Sequence, residues 1–157
     1  MTRVLIAADG TDASVEVATV AQRLFGPTAD YLILNVVATD PAWAGGIEPA
    51  MAYPVPYAYP ASVDAALFRE RDREAEADAA ETVRHVAEES GLPDAEPMVD
   101  TGAPTEAILR AADEQAVDVI VVGSGHTGWF SRLVHGSVAE GVVRGSDIPV
   151  LVAKGTS

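Results

Sequence analysis

Five short apolar runs, separated by segments with helical periodicity, constrain the fold of this chain most strongly. Four of the runs are continuous and rich in Val, Leu and Ile, which is typical of strands that are covered on both faces, and the run at 96–101 is weaker. The segments between them repeat apolar residues at helical spacing. The pattern predicts strands at 3–8, 31–37, 96–101, 118–122 and 148–153, and helices at 13–25, 63–90, 105–115 and 137–144.

This alternation favours an α/β fold built as an open five-stranded parallel sheet. Right-handed crossovers between the strands would place helices on both faces of the sheet. We expect a single domain over residues 1–157, because this length suits one domain and no repeat or linker divides the chain. A Pro/Tyr-rich tract at 41–62 has no period and is expected to be a surface loop inserted between the second strand and the second helix.

Glycines mark the predicted ends of two helices. Gly26-Pro27 should end the first helix, and Gly91 should end the second as a left-handed cap. The buried face of the first helix is expected to contain Val17, Val20, Ala21 and Leu24. The packed stripe of the second is expected to contain Leu67, Ala75, Ala79, Val83, Val86 and Ala87.

The charge of the chain limits the classes of partner that it is expected to bind. The formal net charge is −14, and Lys154 is the one lysine in the sequence. An acidic surface repels nucleic-acid backbones and anionic lipids, so neither is an expected partner. The charge fits a device for solubility, and an unknown, basic partner protein is the alternative.

The absence of cysteine excludes disulfides, thiol catalysis and thiolate metal sites. The first apolar run ends at Asp9, which is too early for the core of a signal peptide or for a membrane span. We therefore expect a soluble, cytoplasmic protein.

Two turns lie where a parallel sheet places its ligands. Open parallel sheets bind ligands beyond the carboxyl ends of their strands, where the strand order reverses. The turn Asp9-Gly10-Thr11-Asp12 follows the first predicted strand. A glycine-rich turn at 123–128 follows the fourth, and Gly136-Ser137 precedes the last helix.

The second turn has the chemistry of an anion site. Glycines let backbone N–H groups approach a phosphate, and a helix start adds free donors with partial positive charge. Ser137 and Glu140 have the spacing of a capping box. A plain strand-to-helix turn would have a similar composition, so glycine content alone does not decide between the two.

Sequence segments over nearly the whole chain carry a family resemblance. They are VLIAADGTDAS at 4–14, LILNVV at 32–37, VDTGAPTEAILRAA at 99–112, VIVVGSGHTGWFSRLVHGS at 119–137 and SDIPVLVA at 146–153. With these segments the chain resembles the universal stress protein family. The resemblance implies a Rossmann-like fold of the adenine nucleotide alpha hydrolase-like type.

Family members that bind ATP share a pattern of Gly, two residues, Gly, nine residues and Gly followed by Ser or Thr. Gly123 matches the first glycine and Gly136-Ser137 match the last pair, whereas His126 occupies the position of the middle glycine. An imidazole there can clash with a phosphate or donate a hydrogen bond to it, and Gly125 can supply flexibility one residue earlier.

The resemblance implies a nucleotide site formed by Ala8, Asp9, Val36, Gly123, Ser124, His126, Thr127, Gly128, Gly136, Ser137 and Val138. In this reading, Asp9 holds a ribose hydroxyl or, through water, a magnesium ion; it could equally cap a helix. Val36 would touch the base or serve only as a core residue. No residue is predicted to bind a metal directly.

The function implied by the resemblance is that of a stress regulator that binds ATP, with or without magnesium. ATP would control conformation or partner choice, and hydrolysis would be slow at most, so an enzyme is not expected. A homodimer through the last strand, 148–153, is also implied. The alternatives are a dimeric interaction module of the same family without ATP binding, and a nucleotide hydrolase that uses Asp9 and His126.

Overall fold

A computed structural model describes residues 1–38, 61–124 and 138–154 of the chain, with the backbone alone for 61–68. Strands and helices alternate in this part of the chain as the sequence predicts. The strands are β1 (Arg3–Ala7), β2 (Asp30–Ala38), β3 (Glu96–Gly102), β4 (Val119–Gly123) and β5 (Val150–Ala153). The helices are α1 (Asp12–Phe25), α2 (Ala61–Glu89), α3 (Pro104–Glu114) and α4 (Val138–Gly145).

The five strands form one parallel sheet in the order β3-β2-β1-β4-β5. The chain therefore builds outward from β1 to β3 in one direction, and then crosses to the other side of β1 to add β4 and β5. This order confirms the predicted open, doubly wound α/β fold.

Apolar side chains fill a layer on each face of the sheet. Alternate residues of a strand point to opposite faces, so each buried strand contributes to both layers. Helices α1 and α2 cover one face, with Val17 and Val83 among the buried residues. Helices α3 and α4 cover the other, with Ile108 and Val142 in the core.

The predicted helix ends agree with the structure. Gly26 has a φ of +76°, and its N–H donates to the Gln22 carbonyl at 2.9 Å. Gly91 has a φ of +75°, and the following Leu92 N–H donates to the Ala87 carbonyl at 2.8 Å. Both helices thus end through a left-handed glycine, a conformation that costs little without a Cβ atom.

Three sequence predictions need correction. Helix α2 begins at Ala61, so the predicted loop at 41–62 extends two residues too far, and residues 41–60 lie outside the described part. Leu24 is 61% exposed, because the apolar face of α1 is narrower than its sequence pattern suggested. Ile148 precedes β5 in a turn, where its N–H donates to Ser146 Oγ at 3.0 Å.

Helix α4 approaches α3 closely through its glycines. A Cβ atom on Gly141 would lie 2.8 Å from Thr105 Oγ1, and one on Gly145 would lie 2.7 Å from Leu109 Cδ1. The two glycines are one helical turn apart, so they form a small-residue contact along α4. This contact fixes the helix that follows the glycine-rich segment against its neighbour.

Candidate functional site

The strand order reverses between β1 and β4, which are neighbours in the sheet. After β1 the chain continues towards β2 on one side, and after β4 it continues towards β5 on the other. The loops that leave these two strands therefore diverge and leave a crevice at the carboxyl edge. Asp9 and Ser124, which follow β1 and β4, lie at this edge.

The Asp9 carboxylate organises the turn after β1. Its Oδ1 accepts hydrogen bonds from the Thr11 N–H at 3.1 Å, from Thr11 Oγ1 at 2.6 Å and from Ser14 Oγ at 2.6 Å. The Asp9 N–H donates to the same Ser14 hydroxyl at 2.9 Å. The three bonds to the carboxylate all use Oδ1, so the described residues leave Oδ2 without a hydrogen-bond partner.

The structure shows one of the two roles that the sequence left open for Asp9, the support of a helix start. The first helical residue of α1 is Asp12, and Thr11 occupies the N-cap position without a side-chain capping bond of its own. Asp9 closes the turn in front of that helix through an Asx-type bond to the Thr11 N–H. Among the described residues, the turn uses only one of the two carboxylate oxygens of Asp9.

Gly10 allows the turn to lie against α2. Its φ is +81°, a left-handed conformation that side chains with a Cβ rarely adopt. A Cβ atom on Gly10 would also lie 2.7 Å from Thr82 Cγ2. The turn therefore requires glycine for two independent reasons, and α2 supports the site from behind.

A buried amide that the sequence analysis did not select supports the same turn. Asn35 is 8% exposed, and its Nδ2 donates to the Ala8 carbonyl at 2.8 Å. Its signal in the sequence is a single polar residue inside the apolar run LILNVV at 32–37. Buried amides need partners, so this residue could have been suspected from the sequence alone.

The end of β4 is held by β5. Gly123 pairs with Ala153, and the Ser124 N–H donates to the Ala153 carbonyl at 2.8 Å. The backbone amide of Ser124 is therefore used within the sheet. Of its polar hydrogens, only the hydroxyl remains for a ligand, so any amide cradle has to begin after this residue.

Three other predicted site residues have buried side chains. Val36 is 3% exposed and Val138 is fully buried, and both belong to the apolar layer beneath α3 and α4. Ala8 is fully buried in the opposite layer. The Val36 side chain is thus part of the core, and a ligand would reach these residues through their backbone atoms.

The remaining predicted site residues lie outside the described part of the chain. They are His126, Thr127, Gly128, Gly136 and Ser137. The described residues that flank them are Ser124, which follows β4, and Val138, which begins α4.

An exposed ion pair involves β3, which is separated from β1 by β2. Asp100 is the register partner of Val36, and its Oδ2 lies 2.6 Å from Arg110 Nη2 on α3. The hydrogen bond and the charge of Asp100 raise the pKa of Arg110 above its ordinary value. The pair links β3 to the helix that covers it.

Among the described residues, no group of three or more His, Asp or Glu side chains is arranged to hold a metal ion. In the same part of the chain, no helix has the length and apolarity needed to cross a bilayer.

Comparison with known proteins places this fold in a family. The family model described as "Universal stress protein family" matches residues 1–154. Universal stress protein MJ0531 of Methanocaldococcus jannaschii is 30% identical over 153 residues, which cover 97% of this chain and 81% of that protein.

Two solved structures share the architecture. The structure of protein MJ0577 superposes with a TM-score of 0.71 at 19% identity, covering 99% of this chain and 97% of that one. A universal stress protein crystallised in complex with cAMP superposes with a TM-score of 0.55 at 25% identity, covering 97% of this chain and 95% of that one. A family model matches residues 1–154, and a relative that is 30% identical aligns over 97% of this chain. This chain therefore belongs to the universal stress protein family.

Proposed function

We propose that this protein binds an adenine nucleotide in the crevice at the carboxyl ends of β1 and β4, and that it acts in the stress response as a regulator. The observation that carries the proposal is the Asp9 turn, in which three hydrogen bonds hold one carboxylate oxygen and leave the other open at the switch point of the sheet. A family member that is 25% identical was crystallised with cAMP, which supports an adenine nucleotide as the ligand.

The ribose and the phosphates of the nucleotide each have a matching group. The open oxygen of Asp9 suits a ribose hydroxyl, or a magnesium ion held through water. Backbone amides of the segment 125–137, together with the start of α4, suit the phosphates of ATP. The hydroxyl of Ser124 is a further donor at the phosphate end. We assign Thr127 and Ser137 the same role.

Regulation fits this site better than catalysis. General acid–base chemistry needs a proton donor or acceptor with a tuned pKa beside the reacting bond. Asp9 lies at this edge of the sheet, and its hydrogen-bond network holds it as a binding group. Tight binding of the ground state alone gives no rate enhancement. ATP would thus serve as a ligand that selects a conformation or a partner.

Nucleotide retained through purification is the first test. We expect protein denatured after gel filtration to release ATP, ADP or AMP in near-stoichiometric amounts, measured by mass spectrometry. Calorimetric titration of nucleotide-free protein with ATP, with and without magnesium, should then give a dissociation constant. Asp9→Asn should weaken binding about tenfold to a hundredfold, since a hydrogen bond to a charged group contributes about 1.5–3 kcal/mol.

Asp12→Asn is the matched control for that variant. It makes the same change in charge on an exposed residue of the first turn of α1, outside the hydrogen-bond network of Asp9. We expect it to bind like the wild type. Absence of released nucleotide, together with no heat of binding at millimolar ATP, would refute the proposal.

An interaction module without ATP binding is the second candidate. It is favoured by β5, which forms one edge of the sheet and carries Val152, a residue that is 41% exposed. Exposed apolar edges invite pairing with another strand, so we extend the proposal to a homodimer formed through β5. A dimer in analytical ultracentrifugation that contains no nucleotide would support this candidate over the first.

A further inference from the structure

Asn35 is the one polar residue in the buried middle of β2. The strand reads DYLILNVVA, and Asn35 is 8% exposed. Burying an amide without hydrogen bonds costs about 1–3 kcal/mol, so a polar residue here needs a compensating contact. That contact is the bond from Asn35 Nδ2 to the Ala8 carbonyl at 2.8 Å.

The bond lies where the pairing of β1 and β2 ends. The last register pair is Ala7 with Leu34, and the last backbone bond runs from the Ala8 N–H to the Leu34 carbonyl at 2.9 Å. In a regular parallel ladder, the Ala8 carbonyl would next accept the N–H of Val36. Here it accepts the side chain of Asn35, so a side chain replaces the backbone at the point where the two strands diverge.

The Ala8 carbonyl is rigidly connected to the site. It shares one planar peptide group with the Asp9 N–H, so holding the carbonyl also orients the N–H. That N–H donates to Ser14 Oγ at 2.9 Å, and the same hydroxyl donates to Asp9 Oδ1 at 2.6 Å. One continuous path of bonds thus runs from the Asn35 amide to the Asp9 carboxylate.

We infer that Asn35 is a positioning residue of the nucleotide site, which fixes the Ala8–Asp9 peptide and through it the direction of the open carboxylate oxygen of Asp9. The inference rests on the proposed function. Asn35 does not need to touch the nucleotide, because its amide acts through the peptide group. Its effect should fall on the nucleoside end of the ligand, since Asp9 is assigned to the ribose.

Replacing the amide donor tests this role. Asn35→Leu keeps a similar volume and removes the donor. Asn35→Thr is a second variant in case the leucine variant fails to fold. Threonine suits a strand, and its side chain is too short to reach the Ala8 carbonyl. We expect either variant to weaken adenosine and ATP by the same factor of about ten, the equivalent of one ordinary hydrogen bond. Asn35→His retains an N–H donor and should recover most of the affinity.

Ser90→Ala is the control for loss of a buried hydrogen bond. Ser90 is 4% exposed, and its hydroxyl bonds to the Ala87 carbonyl just beyond the far end of α2. This variant should be destabilised without a change in nucleotide affinity. If Asn35→Leu and Asn35→Thr bind adenosine as the wild type does, the inference is wrong.

Amide hydrogen exchange gives a readout that needs no ligand. In Asn35→Leu, the N–H groups of Asp9 and Thr11 should exchange at least about tenfold faster, because opening the turn no longer breaks the bond to Ala8. The Asp30 N–H, which donates to the Thr2 carbonyl at the opposite edge, should be unchanged. A purely structural role would accelerate all three.

The two measurements separate the inference from the proposed function. If the wild type binds no nucleotide, the proposed function fails, and exchange at Asp9 and Thr11 alone decides whether Asn35 holds the turn. If the wild type binds nucleotide while the exchange at both amides in Asn35→Leu matches that of the wild type, the proposed function stands and the inference is overturned.

Discussion

Polar residues are used differently at the two ends of the parallel strands, the amino edge and the carboxyl edge of the sheet. At the amino edge, Arg3 lies 3.1 Å from Asp30 and 3.2 Å from Glu96, and its guanidinium also donates to the Gln115 carbonyl at 3.0 Å. The Arg3 backbone N–H donates to Asp118 Oδ2 at 2.7 Å. One residue of β1 thus connects the starts of β2 and β3 and the segment before β4.

At the carboxyl edge, polar groups instead bond within one short turn. Asp9 contacts Thr11 and Ser14, and the neighbouring strand contributes the single bond from Asn35. The charges of the amino edge join strands, whereas at the carboxyl edge the described residues leave Asp9 Oδ2 without a hydrogen-bond partner. Under the proposed function, the first edge serves stability and the second receives the ligand.

The largest expected effect is that of Gly10→Ala. The substitution forces alanine into a left-handed conformation and drives its Cβ atom against Thr82 Cγ2. Together these should lower the free energy of unfolding by about 3 kcal/mol. Urea denaturation followed by circular dichroism measures this loss, and nucleotide affinity should fall in the same variant.

A matched glycine from the amino edge separates the two causes. Gly26 has a similar φ of +76°, but a Cβ atom there would meet no atom within 4 Å. Because Gly26 has a ψ of −178°, Gly26→Ala should cost the strain of its backbone, about 1–3 kcal/mol, and leave nucleotide binding intact. Thr82→Ser, which removes Cγ2, should recover part of the loss in Gly10→Ala; no recovery in that double variant would contradict the crowding by Thr82.

Arg3→Met should lower stability and leave nucleotide affinity unchanged. It removes the cross-strand contacts of the amino edge and keeps most of the apolar side chain, so we expect a loss of about 1 kcal/mol. The Arg3 Nε is buried in an ion pair with Asp30 that lacks hydrogen-bond alignment, which limits the gain from that contact. The difference from the wild type should shrink in about 1 M salt, and nucleotide affinity should not change.

Tyr31 gives the smallest effect and one that depends on pH. Its hydroxyl donates to the Gly26 carbonyl at 2.7 Å, and burial raises the pKa of its phenol above the ordinary value. The folded state therefore holds this proton more tightly than the unfolded state does. Its stabilising contribution is complete below about pH 10, the ordinary value, and is lost as the pH rises through the higher folded value.

Tyr31→Phe removes that dependence. Near pH 8 the variant should be about 1 kcal/mol less stable than the wild type, because the Gly26 carbonyl loses its donor. Above about pH 10 the gap should close, since only the wild type then loses the contribution of a neutral phenol. Parallel stability curves for the two proteins across this range would show that Tyr31 carries no such linkage.

Local sequence signals predicted most of the fold. Continuous apolar runs located four strands and a weaker pattern located β3, and the glycines at 26 and 91 located two helix ends, because these signals act between near neighbours in sequence. Leu24 was assigned wrongly to the core, since periodicity alone does not show how wide the buried stripe of a helix is.

The same distinction between local signals and tertiary contacts applies to the site. The turn at Asp9 could be predicted because an Asx turn before a helix is a local pattern. The contacts of Asn35 with Ala8 and of Thr82 with the space beside Gly10 join distant parts of the chain, and sequence reasoning about single segments could not supply them. The turn itself follows from local sequence, whereas the contacts that support it are tertiary.

Nuclear magnetic resonance with nitrogen-labelled protein tests the central claim most directly. During titration with ATP or AMP, amide signals at the carboxyl edge, among them Asp9, Gly10 and Ser124, should shift in a saturable manner. Signals at the amino edge, such as those of Asp30 and Asp118, should stay in place. A spectrum that does not respond to millimolar nucleotide, or one that changes first at the amino edge, would contradict a nucleotide site at the carboxyl ends of β1 and β4.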